Sequence, residues 1–113
     1  IRDEELTDNM PAVIRHALLT ENFSASEIAK QMGLTERTLH RQLKAAGTSF
    51  RAEFDKERMV ISMQLLEVTS LAISDVALSV GYTSSSSFNR AFRRWFAITP
   101  TSWRKRNKSP HRL

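Results

Sequence analysis

An internal repeat constrains this chain more than any other feature of its sequence. Each copy reads as a helix, a glycine turn and a second helix, and the copies lie at residues 28–44 and 76–93. The glycines of the two turns, Gly33 and Gly81, are 48 residues apart, as are the alanines four positions before them. Glycine readily adopts the left-handed backbone that such a turn needs, and a small residue before it lets two helices cross closely. The pattern predicts two helix-turn-helix motifs.

Apolar spacing and helix-capping residues extend this pattern to the whole chain. The fold class we predict is all-α, with about seven helices and two helix-turn-helix subdomains joined by a long central helix. A first helix has an apolar face of Met10, Val13, Ile14, Ala17 and Leu18. Later helices are expected to begin at Ser24, at Thr35, at Ser74 without a capping hydroxyl at Ala72, at Thr83 or Ser84, and at Thr99-Pro100.

These helices give a division of the chain into six segments. The segments are a first helix with its lead-in at 1–21, a first helix-turn-helix at 22–48, a linking helix at 49–69, a second helix-turn-helix at 70–97, a short helix at 98–107, and a basic tail at 108–113 that we expect to be disordered. In the linking helix, the residues expected to face inward are Phe50, Phe54, Ile61, Leu65 and Val68, with Met59, Met63 and Leu66 beside them. The aromatic residues of the second motif, Phe88, Phe92 and Phe96 or Trp95, are expected in the core.

The charge of the chain is unevenly distributed. Seventeen Lys and Arg against twelve Asp and Glu give a net charge of +5. All twelve acidic residues lie before residue 76, and eight basic residues follow it. Such a cluster of cations favours an anionic partner, with a polyphosphate backbone first and a membrane surface second. The alternative is a solvated surface that ends in a frayed basic tail.

Several functional classes find no support in the sequence. The chain has no cysteine, and its three histidines lack metal-binding spacing. It has no phosphate-cradling glycine loop, no carboxylate pair placed with a base, and no apolar run near the roughly 18–20 residues of a membrane helix. We therefore expect that the chain is not an enzyme and that it binds no cofactor, metal ion or membrane.

Because the chain begins with Ile1, we expect a fragment of a longer protein.

The second motif resembles the DNA-binding domain of the AraC/XylS family of transcription regulators. The strongest match comprises Val80-Gly81-Tyr82, Ser87-Phe88-Asn89-Arg90-Ala91-Phe92-Arg93-Arg94-Trp95-Phe96, Ile98-Thr99-Pro100 and Trp103-Arg104. Further matches lie earlier in the chain, at Ala29 with Gly33-Leu34, at Arg41, at Gly47-Thr48-Ser49-Phe50, and at Arg58 ahead of Leu65-Leu66, so the similarity covers residues 22–106. The resemblance implies a bilobed fold whose third and sixth helices read DNA. It also implies a missing effector or dimerisation domain, RNA polymerase as a further partner, and a bacterial cytoplasmic protein at the nucleoid. Ala97 stands where the family has glycine, and Ser62 where it has alanine.

We predict which side chains would contact DNA from their positions on or next to these two helices and at the start of the seventh. Bases would be contacted by Arg37, Thr38, His40, Arg41, Ser85, Ser86, Asn89 and Arg90. Phosphates would be contacted by Thr35, Lys44, Thr83, Arg93, Arg94, Thr101, Ser102, Arg104 and Lys105. Arginine can bond two acceptors of guanine and asparagine suits adenine, but serine pairs with several bases, so the second motif should read more loosely or through water and DNA shape. Alternatives stay open for three of these residues. Arg41 could form a salt bridge within the protein, and Arg90 could contact a phosphate. His40 could contact a base, contact a phosphate or only be solvated.

The function we predict is sequence-specific binding of double-stranded DNA by a monomeric fragment. The two motifs would read adjacent major grooves and regulate transcription. A helix of 20 residues is about 30 Å long, and successive major grooves lie about 34 Å apart, so this arrangement is permitted. A protein-interaction module that docks through the long helix and the acidic first 75 residues is the second hypothesis. Binding of RNA is a third.

Overall fold

The computed structural model describes residues 3–21 and 23–107, which form seven α-helices without a β-strand. The helices are α1 (Asp3–Leu19), α2 (Ala25–Gln31), α3 (Glu36–Ala45), α4 (Phe50–Val68), α5 (Ile73–Ser79), α6 (Ser85–Phe96) and α7 (Pro100–Asn107). The chain divides into two compact units, residues 1–57 and residues 58–113, and the division falls within α4. The all-α class and the two helix-turn-helix motifs are confirmed, as α2–α3 and α5–α6. The predicted tail at 108–113 lies outside the described residues.

The core of the first unit lies where α1 packs against α2 and α3. The residues buried there include Leu6, Met10, Ile14, Ala17, Leu18, Ile28, Ala29, Leu39, Leu43 and Phe54. The predicted apolar face of α1 is therefore buried, apart from Val13, which is half-buried. Nη1 of Arg15 lies 3.0 Å from Oε1 of Glu57, and this ion pair joins α1 to α4. Glu57 is buried, so the paired arginine compensates a carboxylate that has lost most of its water.

The core of the second unit is built around two phenylalanines of α6. Phe88 and Phe92 are fully buried together with Leu66, Val76, Ala77 and Val80. Phe92 lies 4.6 Å from Phe96 and 6.3 Å from Trp103 between ring centroids. Aromatic pairs at such distances are stabilised beyond their buried area. The predicted aromatic core is confirmed, and α7 packs on α6 through it.

The two glycine turns of the repeat have the same main-chain geometry. Gly33 and Gly81 have φ angles of +73° and +88°, in the left-handed region predicted for them. The residue after each glycine donates its N–H to the carbonyl of the alanine five positions earlier, at 2.8 Å for Leu34 and 3.0 Å for Tyr82. These bonds close each helix in a Schellman motif. The sequence repeat is thus a repeat of backbone structure.

The structure differs from the predicted packing of α4 at its end. Val68 was expected to face inward but is 69% exposed. It is the last residue of α4, and the core contact in that turn comes from Leu66, which is fully buried. Ser62, one turn before Leu66, is also fully buried although no apolar stripe included it. The α4 surface that faces the core of the second unit is therefore centred on Ser62 and Leu66.

Candidate nucleic-acid interface

A pair of hydroxyl groups fixes the start of α3. Thr35 caps the helix: its Oγ1 accepts the N–H of Thr38 at 3.1 Å, and its hydroxyl donates to Oγ1 of Thr38 at 3.0 Å. Such a cap satisfies one of the unpaired N–H groups of the first helical turn. Thr38 is half-buried, and Thr35 is exposed. Thr38 keeps its own O–H proton for the predicted base contact, whereas Thr35 could donate to a phosphate only by giving up its bond to Thr38.

Arg37 and Arg41 lie one turn apart on α3, and both are exposed. Within residues 3–21 and 23–107, no carboxylate lies within ion-pair distance of either guanidinium. The salt bridge considered for Arg41 is therefore not formed by any described residue. Lys44, one turn further along, is also exposed. All three cations are accessible to an external anion.

His40 is held in place by two neighbours. Its Nε2 lies 3.4 Å from Oε2 of Glu36, one helical turn earlier. Its ring packs edge-on against Phe50, with 6.4 Å between centroids. The imidazole side chain is still half exposed. This geometry orients the ring without removing it from solvent, and it leaves the three alternatives for His40 open.

The start of α6 repeats the hydroxyl pair of α3. Ser84 caps α6: its Oγ accepts the N–H of Ser87 at 3.2 Å and its hydroxyl donates to Oγ of Ser87 at 3.1 Å. The sequence left the cap open between Thr83 and Ser84, and the structure assigns it to Ser84. Ser86 is exposed, and Ser85 is half-buried. These two hydroxyls are left for the predicted base contacts, because Ser84 and Ser87 bond to each other.

The cations of α6 lie further along the helix. Arg90 is exposed, and its Nη2 donates to Oγ of Ser87 at 3.4 Å, a long bond that an external acceptor could replace. Asn89 beside it is half-buried. Arg93 and Arg94 are exposed in the last turn. The described residues from 76 to 107 include six cations and no carboxylate, so this part of the second unit has a strongly positive surface.

Helix α7 begins with a third hydroxyl pair. Oγ1 of Thr99 accepts the N–H of Ser102 at 3.1 Å and its hydroxyl donates to Oγ of Ser102 at 3.0 Å. Thr101, Ser102 and Lys105 are exposed, as phosphate contacts require. Serine and threonine hydroxyls, main-chain N–H groups and lysine are all common partners of DNA phosphates.

The geometry of Arg104 does not fit the predicted phosphate contact. Its Nε donates to the carbonyl of Leu66 at 3.0 Å, and its Nη1 donates to the carbonyl of Leu71 at 2.6 Å. Its Nη2 is buried. Because the guanidinium is turned toward the protein main chain, a phosphate contact would require Arg104 to give up these two bonds. No local spacing could have indicated these contacts, which join residues 33 and 38 positions apart.

Sequence reasoning assigned no role to a contact between α4 and the turn of the second motif. The guanidinium carbon of Arg58 lies 4.6 Å from the centre of the Tyr82 ring, and Nη1 of Arg58 lies 3.5 Å from the Tyr82 hydroxyl oxygen. A cation over an aromatic face is attracted by the ring quadrupole. Tyr82 also packs on Phe88 at 5.9 Å. The contact stabilises the turn that precedes α6.

Two observations concern other kinds of site. Among the described residues, no three His, Cys, Asp or Glu side chains are grouped so that they could bind a metal ion. None of the described helices combines the length and the apolar character needed to cross a membrane.

The fold and these two exposed helices define a double helix-turn-helix protein. Residues 28–106 match the family model described as a helix-turn-helix domain. The chain belongs to this family, the AraC-type helix-turn-helix transcription regulators.

The similar proteins are bacterial transcription regulators. The regulator VirS of Mycobacterium tuberculosis is 34% identical over 102 residues, which are 90% of this chain and 30% of VirS. The transcriptional activator NphR of a Rhodococcus species is 34% identical over 92% of this chain and 31% of its own length. A solved AraC-type regulator from Chromobacterium violaceum has a TM-score of 0.76 at 30% identity and covers 95% of this chain and 92% of its own. The chain spans less than a third of VirS or NphR.

Proposed function

We propose that this chain binds double-stranded DNA in a sequence-specific manner and regulates transcription. The observation that carries the proposal is that α3 and α6 begin with the same capping hydrogen bonds and present similar exposed side chains. Each helix begins with the same hydroxyl pair after the same glycine turn, and each presents exposed arginines that no described carboxylate neutralises. The second helix of such a motif is the element that enters a major groove.

The two motifs are proposed to occupy adjacent major grooves. Helix α4 has 19 residues, and a helix of that length extends about 28 Å, compared with about 34 Å between successive grooves. We assign base contacts to Arg37, Thr38, His40, Arg41, Ser85, Ser86, Asn89 and Arg90. We assign phosphate contacts to Thr35, Lys44, Thr83, Arg93, Arg94, Thr101, Ser102 and Lys105. The segment from 1 to 113 is expected to bind as a monomer, because one chain carries both motifs.

Binding-site selection from random duplex DNA tests this function. The chain should enrich a motif that extends over two adjacent grooves, with more sequence information in the half read by α3. Arg41→Ala should relax the selected sequence in that half alone, because loss of a bidentate arginine–guanine contact costs about 1–3 kcal/mol of discrimination. A pool without any enriched motif would contradict the proposal. Equal loss of affinity for every sequence would reassign Arg41 to a phosphate.

Competition distinguishes DNA from the other polyanions. At equal salt, unlabelled duplex DNA of the selected sequence should displace the labelled site at far lower concentration than duplex or single-stranded RNA. Displacement by RNA at the same concentration would favour the RNA-binding hypothesis. The expected location is the bacterial cytoplasm, where the nucleoid is accessible.

Exposed apolar residues of α4 favour RNA polymerase as a second partner. Val60 is 40% exposed and Val68 is 69% exposed, and both are large side chains without a covering element in the described structure. Contiguous apolar surface marks protein–protein contacts, and we propose that these two valines belong to one such contact. Purified RNA polymerase should retain the wild-type chain in a pull-down without DNA, and Val68→Asp should weaken this retention. Unchanged retention of the variant would exclude Val68 from the contact.

A further inference from the structure

The side chain of Arg104 joins three parts of the second unit. Arg104 itself lies in α7, its Nε binds the carbonyl of Leu66 in the last turn of α4, and its Nη1 binds the carbonyl of Leu71. Leu71 lies in the segment between α4 and α5. The two carbonyl oxygens are bound by different nitrogens of one rigid, planar guanidinium.

The end of α4 lacks the residues that usually stabilise a helix C-terminus. Its last turn contains no basic residue, and Glu67 adds a negative charge close to the negative end of the helix dipole. Thr69 satisfies the carbonyl of Leu65 through its N–H at 3.1 Å. The carbonyl of Leu66 receives its bond from Arg104 instead. A cation of α7 thus supplies the C-terminal charge and the hydrogen bond that the sequence of α4 does not provide.

The beginning of α5 also lacks a side-chain cap, although Arg104, which only donates, does not replace the missing acceptor. The N-cap position of this helix is Ala72, which makes no side-chain capping bond, whereas Ser24, Thr35 and Ser84 cap the other three helices of the two motifs. Arg104 binds the carbonyl of Leu71, the residue directly before this uncapped position. The same guanidinium therefore holds the main chain on both sides of the connection between α4 and the second helix-turn-helix motif.

We propose that Arg104 is a positioning residue for DNA binding by the second motif. It acts through the main chain: by fixing the end of α4 and the start of α5 to α7, it fixes where α5 and α6 lie within the second unit. It does not contact the DNA. This inference rests on the proposed function, since its effect is measured as the contribution of the second half-site.

The experiment compares two duplexes for each variant. One contains the selected site, and the other has the second half-site scrambled, the half that Arg41→Ala leaves unaffected. The ratio of the two dissociation constants measures the discrimination contributed by the second motif. Arg104→Lys keeps the positive charge but replaces a planar fork of donors by a single ammonium. We expect Arg104→Lys to lower this ratio from its wild-type value toward 1, with affinity for the scrambled duplex unchanged.

The salt dependence separates positioning from phosphate binding. A side chain that neutralises one phosphate contributes about 0.9 to the slope of log K against log salt. Arg104→Gln should therefore leave this slope unchanged while it lowers the discrimination ratio. Arg106→Gln is the matched control, because Arg106 is an exposed cation two residues later on the same helix. It should leave the discrimination ratio at the wild-type value.

Three results would overturn the inference. One is a wild-type ratio in Arg104→Lys, since only the charge would then matter. Another is a smaller salt slope in Arg104→Gln with equal loss on both duplexes, which would restore the phosphate contact. The third is loss of the helical circular dichroism signal in both variants at 25 °C, which would make Arg104 a residue of general stability. If the wild-type chain itself does not prefer the selected duplex, the proposed function fails instead.

Discussion

Ser62 has a hydroxyl group that the core of the second unit buries without a hydrogen bond. The residue is fully buried, and its Oγ has no partner among the described residues. A buried polar group in this state costs about 1–3 kcal/mol. Ser62→Ala should therefore raise the free energy of unfolding by about 1 kcal/mol, measured by urea denaturation followed by circular dichroism. Ser26→Ala, an exposed serine in α2, is the control for the helix propensity of alanine. An equal gain in both variants would refute the role of burial.

Ala97 has a backbone conformation that suits glycine. Its φ is +65°, in the left-handed region where a Cβ atom costs roughly 1–2 kcal/mol. The residue is exposed, so that removing its methyl group loses little packing. Ala97→Gly should stabilise the chain by about 1 kcal/mol in thermal or urea denaturation. Ala46→Gly is the control. Ala46 caps the C-terminus of α3 with a φ of −84°, so this substitution should not raise the free energy of unfolding. Destabilisation by Ala97→Gly would show that the left-handed turn is unstrained for alanine.

Substitution of the residue that caps α6 tests whether the hydroxyl pair of Ser84 and Ser87 stabilises the start of the helix. Ser84→Ala removes the acceptor for the N–H of Ser87 and should lower the free energy of unfolding by about 1 kcal/mol. Thr83→Ala removes a neighbouring hydroxyl that does not cap the helix, and stability should not change. Urea denaturation of both variants makes the comparison. If Thr83→Ala has the larger effect, the helix begins one residue earlier in solution.

The helices could be predicted because their ends depend on local chemistry. Ser24, Thr35 and the glycines act within a few residues of the chain, so the predicted boundaries lie within one or two residues of those observed. The exposed positions of Arg37 and Arg41 follow in the same way from helical spacing around Leu39. The burial of Glu57 against Arg15 and the inward turn of Arg104 depend on contacts across 42 and 38 residues. Helical periodicity does not report such contacts, so it could not indicate that the Arg104 guanidinium is turned toward the main chain.

For the whole molecule, the two units differ in the charge that they present. Most carboxylates lie in residues 1–57, where several are paired with cations: Glu57 with Arg15, Glu53 with Lys56 and Asp55 with Arg51. In the described part of the second unit after residue 75, all charged side chains are arginines and lysines. The side chains also differ, because α3 presents Arg37 where α6 presents the short Ser86, although Arg41 and Arg90 occupy equivalent positions. We infer that the second unit supplies mainly salt-dependent affinity, whereas α3 supplies most of the discrimination.

A double substitution at the end of α6 tests this division. Arg93 and Arg94 are exposed, and each is expected to neutralise a phosphate. Arg93→Gln combined with Arg94→Gln should reduce the slope of log K against log salt by about 2. Affinity should fall equally for the selected site and for unrelated duplexes, because phosphate contacts contain no sequence information. Lys30→Gln is the control, because Lys30 is an exposed cation of α2. It should change the slope by less than the value of about 0.9 that one phosphate contact contributes. If the double variant instead changes the selected sequence, these arginines contact bases, and the two units share the discrimination between them.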